Sequence, residues 1–411
     1  MFERHLTFRL RDALGDTPVI LLTGARQSGK STLAKTLAGE DYNPQYLTFD
    51  DATILSAAKE NPIGFIETSA PPIIFDEIQR APELFLPLKA MVDRHRTPGS
   101  YLLTGSANVL LLPTVADSLA GRMEVLNLGT LSQGEIEGRR ETFIDRACAP
   151  QFETRSKSGK EDREKLFSRA LIGGYPEAVA RTDESRREAW FRSYITTILQ
   201  RDVRDLANID GLVDLPRLLS ILAARAAGLL NYAEISRSSG IPQSTLKRYI
   251  ALLEQIFLIE HLPAYSGSLI KRMVRSPKLF VSDTGLLAHL QGLSWERIRF
   301  ESSLAGPLME NFVYTEIRKQ MPWNKTRVSL FHFRTSSDQE VDLVLEVPDG
   351  TVVGLEVKSG ASVAADAFKG LRVMETALGK KFRRGIVLYA GDTVVPFAEN
   401  MFAVPISEIW G

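Results

Sequence analysis

The apolar run Val19-Ile20-Leu21-Leu22-Thr23 feeds directly into Gly24-Ala25-Arg26-Gln27-Ser28-Gly29-Lys30-Ser31, and a helical pattern, TLAKTLAG, follows. The octapeptide fits G-x-x-x-x-G-K-[ST] in the context of strand, loop and helix that this pattern requires. No other stretch constrains the chain as much. Its glycines let successive backbone N–H groups point inward at a β-phosphate, and the helix N-terminus adds positive potential there. Lys30 is placed to reach β and γ oxygens, and Ser31 to offer its hydroxyl to Mg²⁺. Gly24, Ala25, Arg26, Gln27, Ser28, Gly29, Lys30, Ser31 and Thr32 are read as the phosphate-binding set.

The rest of the first third supplies partners for such a loop. Short apolar runs alternate with helical patterns from Pro18 to Leu128, and VILLT, YLTF, IIFD, YLLT and EVLNL read as buried strands of an α/β domain. Ile73-Ile74-Phe75-Asp76-Glu77 places two carboxylates at a strand end, with Asp76 lying 46 residues after Lys30. Asp76 is assigned to the magnesium water shell and Glu77 to polarising the attacking water. Thr104 and Ser106 close the strand YLLT, where a hydroxyl senses a γ-phosphate or simply makes a turn. Arg122, just before the fifth strand, reads as an isolated cation. It is either a finger reaching a neighbouring subunit's nucleotide or a solvated surface group.

Composition sets the frame around this core. The chain has 411 residues, and at roughly 150 residues per domain two to four domains are expected. Fifty Lys+Arg balance 50 Asp+Glu, so a uniformly basic nucleic-acid coat is excluded and any nucleic-acid contact has to be regional. Cys148 is the single cysteine, and five scattered histidines offer no zinc spacing, which fits a reducing cytoplasm. No segment approaches the run of about 18 apolar residues needed to span a bilayer, and the start MFERHLTFRLRD does not read as a signal.

The sequence resembles AAA+ ATPases, specifically the bacterial and archaeal class whose ATPase core is joined to a domain of unknown function 4143. The resemblance rests on GARQSGKS, IIFDEIQ, LLTGSAN and SLAGR, then on GGYPEAV, QRDV, FVSDTGLL, GPLMENFV, EVDLVLE and LEVKSG. It implies ATP with Mg²⁺ as cofactor and a ring of subunits, commonly six. Gly173-Gly174-Tyr175-Pro176 looks like the glycine-proline element that related ATPases place beside the adenine, which assigns Pro176 to the nucleotide. A plain turn is the other reading.

Downstream, residues 229 to 282 carry a helix, a turn and a second helix. Ser244, Thr245, Lys247, Arg248 and Tyr249 lie on the second helix, where polar side chains enter a major groove. Residues 225 to 280 hold eight Lys/Arg (225, 237, 247, 248, 271, 272, 275 and 278) against three Glu, a basic island in a neutral chain. Lys271, Arg272 and Arg275 are assigned to phosphates at a hairpin or wing. The other reading is a packing module.

In the last quarter, Asp342 sits in the alternating strand EVDLVLE, and Glu356 and Lys358 fall on one face of a second strand. Two carboxylates and an amine can hold Mg²⁺ or Mn²⁺ and activate a water for attack on phosphate. The pattern looks like the PD-(D/E)XK nuclease fold, with Glu310 in the position of the extra acid of junction-resolving members and Arg334 and Gln339 completing the frame. Val341 stands where that family carries proline. A degenerate nuclease fold used for binding or dimerisation is the alternative.

The expected architecture is therefore an AAA+ P-loop core (1–145), a helical lid (146–228), a winged helix-turn-helix (229–291) and a nuclease-like α/β domain (292–411). The expected function is ATP hydrolysis coupled to DNA, branched or structured, such as four-way (Holliday) junctions, with a metal-dependent nuclease site and no membrane contact. A nucleotide-dependent switch or scaffold for a protein partner is the alternative from another class.

Overall fold

The computed structural model describes residues 2–39, 42–106, 119–153, 162–206, 214–266 and 276–411, with the side chains of 201–206 excepted. The chain divides into two compact units, Met1–Leu131 with Glu254–Phe257, and Ser132–Leu253 with Leu258–Gly411.

The first unit is built on five parallel strands, β1 (Val19–Thr23), β2 (Gln45–Thr48), β3 (Ile73–Asp76), β4 (Tyr101–Gly105) and β5 (Met123–Asn127), in the order β2-β3-β4-β1-β5. Side chains alternate faces along a strand, so a strand buried on both sides must be apolar throughout. In β1, Val19 and Leu21 enter one core with Phe75, Phe85 and Leu103, while Ile20 and Leu22 enter the other with Leu6, Leu10 and Leu33. The five strands read from the sequence are present, but the expectation that all are buried holds only for β1, β3 and β4. The outer strands β2 and β5 are largely half-buried or exposed because each has a neighbour on one side only.

The second unit begins at Ser132, ahead of the expected domain limit at 145. Its opening residues are tied to the C-terminal part of the chain. Ser132 makes a capping box with Glu135, the Gln133 N–H donates to Glu316 at 2.8 Å, and Arg146 pairs with Glu408 at 2.8 Å. Helices follow at Arg163–Ile172, Pro176–Val179, Glu184–Leu206 and Leu215–Ala223, as the amphipathic pattern predicts.

Next come the helices Tyr232–Ser239 and Gln243–Gln255, separated by Gly240, whose positive φ of 75° favours glycine. An antiparallel ribbon of β6 (Ile259–Leu262) and β7 (Lys278–Val281) follows. The ribbon is fastened to what comes after it. Asn311 accepts from the Val281 N–H at 2.9 Å and donates to the Val281 carbonyl at 2.8 Å, and the backbone of Pro263–Tyr265 bonds that of His332.

The C-terminal sheet is mixed. Its order is β12-β13-β11-β10-β9-β8, with β8 (Ser329–Arg334), β9 (Glu340–Glu346) and β10 (Val352–Lys358) antiparallel in turn. β11 (Phe382–Tyr389) and β13 (Met401–Pro405) continue parallel, and β12 (Val395–Ala398) closes the edge. Leu371 and Met374 of the helix Lys369–Leu378 pack on Val341, Val344 and Val387. β12 and β13 are two strands that the sequence reading did not anticipate.

Candidate functional site: a nucleotide loop and a second carboxylate cluster

Parallel strands present their carboxyl ends together, so the loop after β1, Asp76 at the end of β3 and Thr104 in β4 share one edge of the first sheet. The loop's glycines are needed there. A Cβ on Gly24 would stand 2.2 Å from the Leu128 carbonyl oxygen, and Gly29 has φ 98°. Arg4 holds the loop from behind, donating to the Ser28 carbonyl at 2.6 Å and to the Gly129 carbonyl at 2.8 Å. Lys30 is buried and its ammonium lies on the Gly24 and Ala25 carbonyls at 2.9 and 2.8 Å. Ala25 and Ser28 are buried, Arg26 is half-buried, Gln27 is exposed in the left-handed region, and Thr32 is exposed. The Ser28 hydroxyl is fully buried without a hydrogen-bond partner, an acceptor-seeking group inside the loop.

Asp76 is the centre of a hydroxyl network. Its Oδ1 accepts from Ser31 at 2.8 Å and Thr104 at 2.6 Å, and its Oδ2 from Tyr46 at 2.7 Å and Thr48 at 3.3 Å. Burial and then Asp76 push the Tyr46 phenol upward, which keeps it a donor. Glu77 sits at φ 58°, ψ 47°, a left-handed conformation rare for this residue type, and its N–H donates to Thr104 at 3.1 Å. Its Oε2 accepts from Ser106 at 3.1 Å and from Gln79. Arg4, Tyr46, Thr48 and Gln79 were not foreseen. The available signal in YLTF is its two hydroxyl residues, Tyr46 and Thr48, which stand two positions apart and so share one face of the strand.

Arg122 is not the isolated cation expected. Its guanidinium grips Asp93, with Nη2 to Oδ2 at 3.1 Å, and donates to the Ala120 carbonyl. It precedes β5, so it lies at the amino end of the parallel sheet, opposite the loop. In the other unit, the Gly174 N–H donates to Asp283 at 2.8 Å, and Asp283 caps the helix Thr284–Gln291 through Gly285 and Leu286. Pro176 therefore opens a short helix beside a buried turn, where the Tyr194 hydroxyl donates to the Tyr175 hydroxyl at 2.8 Å.

On the helix Gln243–Gln255, Ser244, Lys247 and Arg248 are exposed, Thr245 is half-buried, and Tyr249 is buried with Leu246 and Ile250, so Tyr249 is not available to a groove. Lys271, Arg272 and Arg275 lie outside the described residues. The basic island is smaller than counted. Arg225 pairs with Glu234 at 2.8 Å, and Lys278 is buried.

Lys278 lies among the carboxylates assigned to metal. Its ammonium donates to Glu310 at 2.7 Å and Asp342 at 3.1 Å and also pairs with Glu340. Asp342 Oδ2 accepts from the Val357 N–H at 2.9 Å, and Lys358 pairs with Glu356 at 2.8 Å on one face, as alternation predicts. Arg334 pairs with Asp338 at 3.0 Å, and the Gln339 N–H donates to Thr335 at 3.1 Å. Burial, then Asp342, raises the Glu310 carboxyl well above its ordinary range, and the same causes push Glu356 to about 7. Burial opposes charge on Lys278, but Glu310, Asp342 and Glu340 together raise it. Among the described residues no group of three or more His, Cys, Asp or Glu side chains is arranged to hold a metal ion. Lys278 is one of the eight cations of the basic island, and it is buried. A lysine opening an otherwise apolar strand was the only sequence signal of its burial.

The parallel sheet, its loop and the Ser31–Asp76 network define a P-loop ATPase domain. A family model described as an AAA domain matches residues 16–137, a domain of unknown function, DUF8612, matches 163–297, and DUF4143 matches 305–409. The chain belongs to the family in which an AAA ATPase domain is joined to DUF4143. Its relatives include the uncharacterized proteins Mb2031c of Mycobacterium bovis and Rv2008c of Mycobacterium tuberculosis. Each is 31% identical over 410 residues, covering 99% of this chain and 84% of the relative. Among solved structures, the Walker-type ATPase PABY2304 of Pyrococcus abyssi has a TM-score of 0.47 at 16% identity, covering 71% of this chain and 96% of that one. The STAND protein with a tetratricopeptide repeat sensor, PH0952, of Pyrococcus horikoshii has a TM-score of 0.20 at 14% identity, covering 76% of this chain and 47% of that one. Among the described residues no helix is long and apolar enough to cross a membrane.

Proposed function

We propose that the chain binds and hydrolyses ATP with Mg²⁺ and couples this to contact with DNA, branched or structured duplex in the first instance. The observation that carries the reading is Ser31 hydrogen-bonded to Asp76 at 2.8 Å beside Glu77, whose carboxylate is braced by Ser106 and Gln79. Ser31 and Asp76 would hold Mg²⁺, which when bound supplies charge neutralisation between phosphate oxygens. The buried Ser28 hydroxyl and the Lys30 ammonium fit the phosphate chain. Bracing of Glu77 through Oε2 leaves Oε1 to orient water and take its proton. Thr104, bonded to both Asp76 and the Glu77 N–H, positions the pair.

The DNA contact is assigned to Ser244, Lys247 and Arg248, which share an exposed helix face at spacings of three and four. Arg122 serves a nucleotide only in trans, within a homo-oligomer, a hexamer in this reading, because it lies at the opposite end of its own sheet. The second reading, a nucleotide switch with a degenerate nuclease fold, is favoured by the Lys278 ammonium among the acids.

Measuring the ATPase rate of the full chain with single-stranded, duplex, forked and four-way DNA at low salt separates these readings. Mg²⁺-dependent turnover, lost in Lys30→Ala and raised by branched or duplex DNA, is expected. Slow turnover indifferent to every DNA sinks the DNA reading in favour of the switch. Mixing Arg122→Ala with Glu77→Gln subunits restores turnover if the arginine acts in trans, and leaves both inactive if it does not.

A further inference from the structure

Four carboxylates converge on one end of the C-terminal sheet: Glu340 and Asp342 of β9, Glu356 of β10, and Glu310 of the helix Ala305–Gln320. A divalent cation there would need several of their oxygens at about 2.0–2.6 Å. A lysine is present in that position instead. Lys278 is 2% exposed, and a lysine is almost never so buried unless it is paired. An ammonium has three N–H donors, and three carboxylates surround this one: Glu310 at 2.7 Å, Asp342 at 3.1 Å, and Glu340. Donors and acceptors match in number, so the ammonium has no donor left over.

The backbone fixes that position. Lys278 is paired on one side with Leu262 of β6 and bridged on the other to Leu229, and three residues on, Val281 is held at both its N–H and its carbonyl by Asn311. Asn311 is the sequence neighbour of Glu310, so one helix turn sets both the acid and the strand that brings the lysine to it. The Lys278 backbone cannot move away from the cluster without breaking that pairing.

One positive charge does not match what a divalent ion would bring. Glu356 shows the shortfall: its Oε2 is buried without a hydrogen-bond partner, while Oε1 takes Lys358 at 2.8 Å. The site has the acids of a metal centre and an organic cation in the metal's position.

We propose that Lys278 is the resident cation of this cluster, that its ammonium stands where a divalent metal would sit, and that the folded chain is thereby closed to Mg²⁺ and Mn²⁺ at Asp342 and Glu356. The cluster then works as a buried ion-pair joint between the β6–β7 ribbon and the C-terminal sheet. One side chain separates it from a metal site. The inference is independent of the nucleotide reading, since none of these residues belongs to the Asp76 network.

The test is Mn²⁺ binding to the full chain without nucleotide, read from the electron paramagnetic resonance signal of free Mn²⁺. Wild type, Lys278→Met, and each of these combined with Asp342→Asn are compared. Wild type and Asp342→Asn are expected to bind alike. Lys278→Met gains one site at least about tenfold tighter than any in wild type, a difference of about 1.4 kcal/mol, and loses it on adding Asp342→Asn. An Asp342-dependent Mn²⁺ site in the wild type overturns the proposal, and so does a folded Lys278→Met that gains none. Should Lys278→Met be unfolded in chelator, circular dichroism with added Mn²⁺ decides. Recovery of structure in it or in Lys278→Gln supports the substitution of metal for ammonium, and recovery in neither refutes it.

Discussion

Asp76 and Asp342 were read from the sequence in the same way, as carboxylates on apolar strands waiting for a metal, and the structure surrounds them differently. The hydrogen bonds to Asp76 come from the hydroxyls of Ser31, Thr104, Tyr46 and Thr48. Those to Asp342 come from the Lys278 ammonium and the Val357 N–H. A hydroxyl is donor and acceptor at once, so Ser31 can turn its oxygen to a cation that Asp76 also faces. An ammonium only donates and carries its own charge, so it competes with a metal. Whether an acidic residue can hold a metal depends on the charge of its neighbours more than on the acid itself.

The sharpest way to break this contrast is a crossed pair of substitutions. Asp76→Asn retains a carbonyl oxygen for the hydroxyls and is expected to leave the unfolding midpoint in urea nearly unchanged while ATP turnover falls by about 100-fold or more. Lys278→Met leaves buried carboxylates uncompensated, and loss of one partner from a buried ion pair costs about 3–5 kcal/mol. Urea unfolding in chelator reads that loss. If Asp76→Asn proves the more destabilising of the two, the hydroxyl network is a structural joint and the contrast is wrong.

A smaller effect follows from the residual negative charge of the second cluster. Burial, then Asp342, lifts the Glu356 carboxyl from 4.5 to about 7, against the pull of Lys358, and Glu310 moves in the same direction. Between these values the folded chain holds a proton that the unfolded chain has released. Stability is therefore present at low pH, declines as pH rises from about 4.5 to about 7, and is level beyond. At about 1.4 kcal/mol per unit the Glu356 share is on the order of 3–4 kcal/mol. Glu356→Gln should flatten that part of the slope in urea unfolding measured across this range. An unchanged slope would place the titration elsewhere.

The nucleotide site was legible because its chemistry is contiguous: loop, lysine and serine come from one octapeptide, and Asp76 with Glu77 from one strand end. Tyr46 and Gln79 were not legible, because they reach the site only through sheet order and a 3₁₀ turn. In the C-terminal cluster the spacing of Asp342, Glu356 and Lys358 correctly placed them together, and the local pattern even gave the shared face of Glu356 and Lys358. What spacing could not carry was Lys278, 64 residues before Asp342 and brought in by the ribbon's attachment to Asn311. The β12–β13 edge was missed because VPFA and MFAVP are short and carry prolines, which read as loop.

The smallest effect tests the same distinction, between a charge already answered and one still exposed, on the helix assigned to DNA. Lys247 and Arg248 are exposed, although Lys247 also lies 5.6 Å from the centre of the Tyr232 ring. Arg225, from the same basic island, has its guanidinium on Glu234 at 2.8 Å. A cation that meets a phosphate releases a counterion, so its removal lowers the slope of log affinity against log salt by about 1. Lys247→Ala and Arg248→Ala should each do so and lower the slope by about 2 together, with little change in the thermal midpoint. Arg225→Ala should leave the slope where it was, because Glu234 has already taken the place of the counterion. Equal slope changes in all three variants would mean that charge density in the island, and not the exposed face of one helix, makes the contact.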